Sequence, residues 1–292
     1  MTTKEQKEFI HHQTETLINN PATSKNIKIV AEGDSWFDYP LSKDIIDWLA
    51  IEGYAIKNLA KHGDILENMV FGTDITENKE NKSKSLEKTL AAVKKHEPAF
   101  VLLSGGGNDV VGENMIQYLN HQSSGLPLFR KKEFTNHING YVRSMVKLFC
   151  TKIWEVDSKI HILMDGYAYA KANGKAYKKI WINWAGPWIL PGMQQKAILS
   201  STDHEKIIKE MVDIFNDMLA GLSDELSHFH HIDLRSFFPK DNQWDNEIHL
   251  TNEAFRSAAN IYHFEMKKIN LSVQTDIDKI KVATSWPEEI VA

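Results

Sequence analysis

Cysteine is nearly absent from this sequence, which has one such residue, Cys150, among 292. A single thiol excludes an internal disulfide, and its apolar neighbours on a predicted helix favour a buried structural side chain over a nucleophile.

Long apolar runs are also lacking. No segment reaches the roughly 18 apolar residues of a membrane span, and the polar start of the chain contains no stretch of the signal-peptide type. We therefore expect a cytoplasmic protein without a transmembrane segment, with delivery outside the cell by a specialised secretion route left open.

Charge of one sign is not in large excess. The formal net charge is -5, from 34 lysines and arginines against 39 aspartates and glutamates. Because the basic residues are scattered rather than gathered into a stripe, nucleic acid is not an expected partner.

The histidines of residues 227–233 lack the spaced carboxylate or cysteine partners of a zinc site, so no metal is expected there.

Short apolar runs alternate with segments of helical spacing along the chain. With 42% hydrophobic residues the chain can bury a substantial core, and one domain spanning 1–292 is the expectation. Strands are predicted within 26–35, 54–60, 99–106, 159–167 and 228–236, and helices within 42–52, 84–97, 134–155 and 201–222. This alternation predicts an α/β protein with a central five-stranded parallel sheet covered by helices on both faces.

Conspicuous residues follow three of these strands. The first strand runs into Gly33-Asp34-Ser35, the second into a turn with Gly63, and the third into a glycine-rich turn with Asn108. Parallel strands end at one edge of the sheet, where α/β proteins place their active residues. A segment after the last strand carries His249 to the same edge. A histidine base is thus expected to face the Ser35 hydroxyl.

These blocks resemble the SGNH or GDSL hydrolase family, which takes its first name from Ser, Gly, Asn and His in four separated motifs. Here they read as Ser35 in "GDS", Gly63 in "AKHGD", Asn108 in "GGND" and His249 in "NEIHLTNEAF". Each motif alone is weak, because a glycine-serine turn often only caps a helix and a histidine before a helix is often solvated. Their joint occurrence in the family order is specific. The resemblance implies a flavodoxin-like three-layer α/β/α fold and esterase chemistry without metal or cofactor.

The resemblance also implies roles for these residues. His249 would take the Ser35 proton as the hydroxyl attacks an ester carbonyl, and would return it to the leaving alkoxide. The backbone N–H groups of Ser35 and Gly63 and the side-chain amide of Asn108 would form the oxyanion hole. Glycine at position 63 would leave the carbonyl's approach free of a side chain.

One position departs from the family pattern. The family usually has Asp three residues before the histidine, and here that residue is Asn246, preceded by Asp245 and followed by Glu247. Three interpretations stand. Asn246 orients His249 through its side-chain oxygen, which is the favoured one; Asp245 reaches the ring through a shift of the loop; or the histidine relies on Ser35 and a backbone carbonyl alone. In Ser-His-Asp triads an Asp→Asn change costs about 10⁴ in turnover when it fixes the wrong histidine tautomer. A non-catalytic module is therefore a further alternative.

Aromatic residues surround the predicted site. Trp36 follows the serine directly, and it either lines a substrate pocket or fills space beneath the first helix. Trp184 and Trp188 belong to a tryptophan-rich segment with two prolines, which predicts a loop or lid over the substrate, or else core packing or a subunit interface. The expected layout is an N-terminal helical arm (1–25), insertions near the site (111–133 and 170–192) and a C-terminal tail (270–292).

Together these features predict a serine-dependent ester hydrolase of the esterase or lipase type. Its substrate would be a small-molecule or lipid ester, and transient lipid contact is possible through the exposed aromatic segment. Two alternatives remain: a non-catalytic SGNH-fold module that binds an acylated or glycan ligand, and a carbohydrate acetylesterase. The oligomeric state is not predicted.

Overall fold

All five predicted strand positions form strands in the computed structural model, which describes residues 3–20, 27–73, 85–179 and 182–284. For residues 3, 85, 178–179, 182–184 and 271–284 it describes the backbone alone. The strands of the central sheet are β1 (Lys28–Gly33), β2 (Ala55–Asn58), β3 (Phe100–Ser104), β4 (His161–Asp165) and β7 (Phe229–Ile232). They pair in the order β2-β1-β3-β4-β7, and every pair is parallel. The predicted α/β class with a five-stranded parallel sheet is confirmed.

Helices cover both faces of the sheet. They are α1 (Thr3–Asn19), α2 (Ile45–Ile51), α3 (Leu66–Phe71), α4 (Ser85–His96), α5 (Lys131–Asn136), α6 (Arg143–Val156), α7 (Leu190–Gln195), α8 (Ser201–Glu225) and α9 (Asn252–Thr284). The polypeptide alternates its side chains across a strand, so neighbouring residues of β1 enter different cores. Val30 packs with residues of α3, α4, α6 and α8, whereas Ile29 and Ala31 pack with residues of α2 and α9. These are the three layers that the sequence predicted.

Three segments differ from the sequence prediction. The predicted helix within 134–155 is divided into α5, a π-helical segment (His137–Val142) and α6. The insertion 111–133 contains a 3-10 helix (Gly112–Tyr118), and the segment 170–192 contains an antiparallel hairpin of β5 (Tyr177–Lys179) and β6 (Ile182–Ala185). The tryptophan-rich segment is therefore a hairpin followed by a short helix, rather than a loop throughout.

Among the described residues, none of the helices combines the length and the apolar character that a bilayer crossing needs.

Candidate active site

Ser35 lies at the sharp turn where β1 ends. The ladder between β1 and β3 continues one residue past Gly33, because the Asp34 N–H donates to the Ser104 carbonyl over 3.0 Å. A side chain at position 33 would place its Cβ 2.8 Å from that same carbonyl, so this turn requires glycine. The Asp34 carboxylate then accepts the Trp36 N–H over 2.9 Å, which closes the turn around the serine.

Asp34 is buried beneath the site and joins two of the three strand ends. It accepts hydrogen bonds from the Ser104 hydroxyl (3.1 Å) and from the Tyr167 hydroxyl (2.6 Å). The Tyr167 oxygen accepts in turn from the Gly107 N–H over 3.2 Å. Burial raises the pKa of Asp34, and these hydrogen bonds oppose that effect. The serine turn and the Gly107–Asn108 turn are therefore held by one buried carboxylate.

The candidate oxyanion donors lie beside Ser35. One Asn108 amide hydrogen is fixed by the Asp64 carbonyl at 2.8 Å, which leaves the other for the pocket that Asn108 lines with Ser35 and Gly63. Within the described ranges, the backbone N–H groups of Ser35 and Gly63 have no acceptor. Glycine at position 63 suits the local backbone, since its φ is +78°, and an added Cβ would meet no protein atom within 4 Å.

His249 contacts the serine directly. Its Nε2 lies 2.7 Å from the Ser35 Oγ, although 214 residues separate the two. On the other side of the ring, Nδ1 lies 3.0 Å from the Asn246 Oδ1. The ring stacks on Tyr39 with centroids 4.4 Å apart, and the Trp188 indole meets it edge-on at 5.4 Å. Burial lowers the pKa of His249 to about 3, so the imidazole is neutral at pH 7.

The orientation of the Asn246 amide follows from its partners. Its Oδ1 also accepts the backbone N–H groups of Ile248 (3.1 Å) and His249 (3.0 Å). Because these groups can only donate, the oxygen and not the nitrogen must face them. The same oxygen then requires a proton on the His249 Nδ1, which leaves Nε2 free to accept the Ser35 proton. Asn246 therefore selects the tautomer that a general base needs.

Asp245 does not contact the imidazole. Its carboxylate accepts the Tyr39 hydroxyl at 2.5 Å, and the Tyr39 oxygen lies 3.2 Å from the Asn246 Nδ2. Of the predicted orienting residues, the structure thus brings Asn246 to the ring and places Asp245 two hydrogen bonds further away.

Glu247 connects the histidine loop to the tryptophan-rich segment. Its fully buried carboxylate accepts four backbone N–H groups, from Gly174 (3.0 Å), Trp188 (2.5 Å), Ile189 (2.6 Å) and Leu190 (3.0 Å). We call residues 174–179 and 182–190 the flap. One carboxylate two residues before His249 therefore fixes both ends of the flap to the loop that carries the histidine.

An apolar pocket opens on one side of Ser35. It offers about 780 Å³ of space, including its mouth, and Ser35 and Asn108 stand at its polar end. Its walls come from the turn after β1, the segment after β3 with its 3-10 helix, α5 and α8, and include Trp36, Val110, Met115, Phe134, Met211, Val212 and Phe215. Trp36 is nearly buried and its indole N–H donates to the Ile248 carbonyl at 3.0 Å, so it both fills space and lines this pocket.

A second pocket opens on the other side of the same two residues. It has about 850 Å³ of space and is more polar, with Tyr39, His62, Gly63, Tyr177 and Trp188 among its lining residues. The predicted pocket residue Trp188 lies here, whereas the side chain of Trp184 lies outside the described residues. Ser35 and Asn108 thus line both pockets, which we call the apolar chamber and, because its lining is less apolar, the second chamber.

The sequence does not indicate the hydrogen bonds made by Tyr39, Glu247 or Tyr167. Glu247 is notable there only as a neighbour of the histidine. No sequence pattern indicates the partners of these residues, because each bond joins segments more than 50 residues apart. Among the described residues, no group of three or more His, Cys, Asp or Glu side chains is arranged to hold a metal ion.

Comparisons with known proteins identify the fold. No protein-family model and no curated protein matches this sequence. An extracellular lipase from Streptomyces rimosus is 15% identical, with a TM-score of 0.54 over 82% of this chain and 99% of that one. Phospholipase A1 from Streptomyces albidoflavus NA297 is 13% identical, with a TM-score of 0.52 over 83% and 99%. The lipase Lip_vut3 from a goat rumen metagenome is 12% identical, with a TM-score of 0.50 over 82% and 96%. The chain has the SGNH/GDSL hydrolase fold that its motifs predicted.

Proposed function

We propose that this protein is a serine-dependent ester hydrolase that works through an acyl-enzyme on Ser35. The observation that carries the proposal is the 2.7 Å contact between the Ser35 hydroxyl and the unprotonated nitrogen of a buried, neutral His249. A base in hydrogen-bond reach of a hydroxyl, itself oriented by a third group, is the arrangement that activates a serine. The lipases and the phospholipase with the same fold are consistent with this activity.

The first half of the reaction forms the acyl-enzyme. The Ser35 oxygen attacks the ester carbonyl carbon while its proton passes to the His249 Nε2. The negative charge that develops on the carbonyl oxygen is stabilised by the N–H groups of Ser35 and Gly63 and by the free Asn108 amide hydrogen. The C–O bond to the alcohol then breaks, and the imidazolium returns its proton to the departing alkoxide.

The second half releases the acid. A water molecule gives its proton to the His249 Nε2 and attacks the acyl carbon, with the same three donors around the oxyanion. When the bond to the serine breaks, the proton returns to the Ser35 oxygen. Free carboxylic acid leaves, and both side chains regain their starting protonation states.

We assign the two ends of the ester to the two pockets. The acyl group occupies the apolar chamber, because alkyl carbons gain free energy where the walls are aliphatic and aromatic. The alcohol occupies the second chamber, whose lining is less apolar and includes His62 beside the buried rings of Tyr39 and Tyr177. This division favours an ester of an aliphatic acid with a polar alcohol over an acetylated sugar, whose acyl group would leave the apolar chamber nearly empty.

The test uses p-nitrophenyl esters of increasing acyl length. Each methylene that enters the apolar chamber contributes roughly 0.8 kcal/mol, so kcat/KM should rise about four-fold per CH₂ until the chamber is filled. Val212→Phe, which adds volume to the α8 wall, should lower activity on long esters and spare the acetate, whereas Val212→Ala should move the optimum to longer chains. A flat profile, or a preference for acetate, would instead favour the acetylesterase alternative.

A fluorophosphonate probe tests the nucleophile independently. It should label the wild-type protein and Ser257→Ala, which lacks a serine of the α9 surface, but not Ser35→Ala. A wild-type protein that neither reacts with the probe nor turns over any ester would indicate a non-catalytic binding module. Turnover that persists in Ser35→Ala would exclude the mechanism.

A further inference from the structure

A line of hydrogen bonds continues beyond Asn246 to the protein surface. It passes from Ser35 to His249, then to Asn246, Tyr39 and Asp245, with heavy-atom distances of 2.7, 3.0, 3.2 and 2.5 Å. Tyr39 and Asn246 are each 1% exposed, whereas Asp245 is exposed. The line therefore runs through buried groups and ends on a solvated carboxylate.

The direction of every bond in this line is determined by chemistry. A carboxylate only accepts, so the Tyr39 O–H must donate to Asp245. The lone pairs of the Tyr39 oxygen then face the Asn246 NH₂ group, which only donates. Because Oδ1 of Asn246 accepts from two backbone N–H groups, it also accepts from the His249 Nδ1–H. Every donor points away from Ser35 and toward the negative charge.

This shared direction matters when His249 becomes positive. Hydrogen bonds in series polarise one another, and the effect is larger in a buried environment than in water. A positive imidazole strengthens the bond to Asn246, which strengthens the bond to Tyr39 and then the bond to Asp245. Direct attraction between His249 and Asp245 is weakened by solvent around the exposed carboxylate. The negative charge of Asp245 thus stabilises the positive His249 ring mainly through the hydrogen bonds of the buried Tyr39 hydroxyl and of Asn246.

We infer that Tyr39 is a positioning residue which, with Asp245, supplies through Asn246 the negative charge that the neutral amide at position 246 lacks. The inference rests on the proposed function, because it concerns the imidazolium formed during acyl transfer. It assigns a specific task to the Tyr39 hydroxyl, apart from that of the ring, which stacks on His249. Substitution by phenylalanine separates the two, since it removes the hydroxyl and keeps the ring.

Steady-state kinetics test the inference first. Tyr39→Phe should lower kcat about ten-fold, which corresponds to the usual net contribution of one hydrogen bond, with KM changed less than about two-fold. Asp245→Asn should lower kcat less, because its oxygen still accepts the Tyr39 proton. The double variant should equal Tyr39→Phe, since a carboxylate disconnected from Asn246 has no further effect. Independent contributions that multiply in the double variant would overturn the inference.

A background with Asn246→Asp sharpens this test. A carboxylate placed directly on the His249 Nδ1 makes the distant charge redundant. In that background, Tyr39→Phe should change kcat less than about two-fold. An undiminished ten-fold loss there would mean that the hydroxyl acts only on folding or packing. Tyr169→Phe is the matched control, because its hydroxyl donates to Asp213 at 2.7 Å away from both pockets, and its kcat should equal that of the wild type.

A measurement without substrate separates this inference from the proposed function. In protein labelled with ¹⁵N-histidine, the His249 Nδ1 proton is observed at pH 7 and assigned with His249→Gln. Its resonance should move upfield in Tyr39→Phe and Asp245→Asn, and stay unchanged in Tyr169→Phe. An unchanged resonance in Tyr39→Phe would reject the inference even in an active enzyme. A shifted resonance in a protein inert to esters and to fluorophosphonate would instead reject the proposed function.

Discussion

Asn108 is the one side chain among the three candidate oxyanion donors, so its contribution can be removed by substitution. Asn108→Ala should lower kcat by about 10²–10³, the usual effect of losing one such donor. The loss of its bond to the Asp64 carbonyl should lower the free energy of unfolding by only about 1 kcal/mol. Ester turnover and urea unfolding measure the two effects. Asn114→Ala is the control, because that amide bonds the Asp109 carbonyl without lining either pocket; an equal loss there would contradict the assigned role.

The burial of His249 predicts an unusual pH dependence. The pKa of this histidine is lowered to about 3 because burial disfavours the charged ring. A general base loses activity as pH falls through its pKa in the free enzyme, so the acid limb of kcat/KM should have its midpoint far below the ordinary value of about 6.5. In stopped assays between pH 4 and 8, kcat/KM should therefore show no fall caused by this histidine, because the whole range lies above its pKa of about 3. A midpoint near 6.5 would show that the ring is hydrated before substrate binds.

The same shift affects stability with a defined sign. The folded state keeps His249 neutral, whereas the unfolded chain binds a proton below about pH 6.5. The contribution of this residue to stability is therefore lost as pH falls from about 6.5 toward 3. The difference in unfolding free energy between wild type and His249→Gln should change over that window and be constant above it. Urea unfolding at several pH values measures the difference, and a constant value throughout would contradict the prediction.

At the scale of elements, the flap depends on one carboxylate. Glu247→Gln replaces an acceptor oxygen by an NH₂ group, which faces two buried N–H donors of the flap. We expect a loss of about 3 kcal/mol in the free energy of unfolding. Hydrogen exchange should accelerate at the amides of Gly174, Trp188, Ile189 and Leu190. Glu253→Gln, an exposed acid in the first turn of α9, should change neither quantity. Unchanged exchange in Glu247→Gln would mean that the flap is held by its other contacts.

Elements with a strong local pattern could be predicted from the sequence. The strand β3 is five buried residues between turn signals, and α8 has a serine N-cap and apolar residues at helical spacing over 25 residues. The hairpin of β5 and β6 has no such pattern, because its strands contain only three and four residues. Short strands acquire their conformation from pairing rather than from propensity.

The candidate site was predictable where a strand end determines its position. Ser35, Gly63 and Asn108 each follow a parallel strand, so the sheet order alone brings them to one edge. The Tyr39–Asp245 bond could not be predicted, because it joins residues 206 apart in two irregular loops. The spacing of apolar residues in the sequence does not indicate such a contact, because it depends on the lengths and conformations of both loops.

At the scale of the whole molecule, the N-terminal helix supports the site from a distance. Lys7 of α1 is buried and donates to the Tyr39 carbonyl (2.9 Å) and to Asp44 (2.5 Å), and it lies 2.6 Å from Asp47. Asp44 in turn accepts the Tyr39 N–H at 3.0 Å. Both peptide groups of Tyr39 are therefore held by an ion cluster that α1 completes.

Removal of this lysine tests the connection. Lys7→Met leaves two buried carboxylates without their cation, which should cost roughly 3–5 kcal/mol of unfolding free energy and lower kcat through the loosened Tyr39 loop. Lys4→Met is the control, because the Lys4 side chain is 84% exposed and forms only a helical surface pair with Glu8. Urea unfolding and ester turnover of both variants measure the effects. If Lys7→Met lowers stability but leaves kcat unchanged, α1 does not support the active site.

The shared anchoring of the flap and the histidine loop has a consequence for how substrate arrives. The flap is attached through Glu247 to the loop that carries His249. The flap therefore cannot move away at a lipid–water boundary without displacing His249. We therefore expect the ester to enter through the mouths of the two chambers beside Ser35 while the flap stays in place. The rate should accordingly follow the concentration of dissolved monomeric ester, without a jump when the ester begins to form micelles.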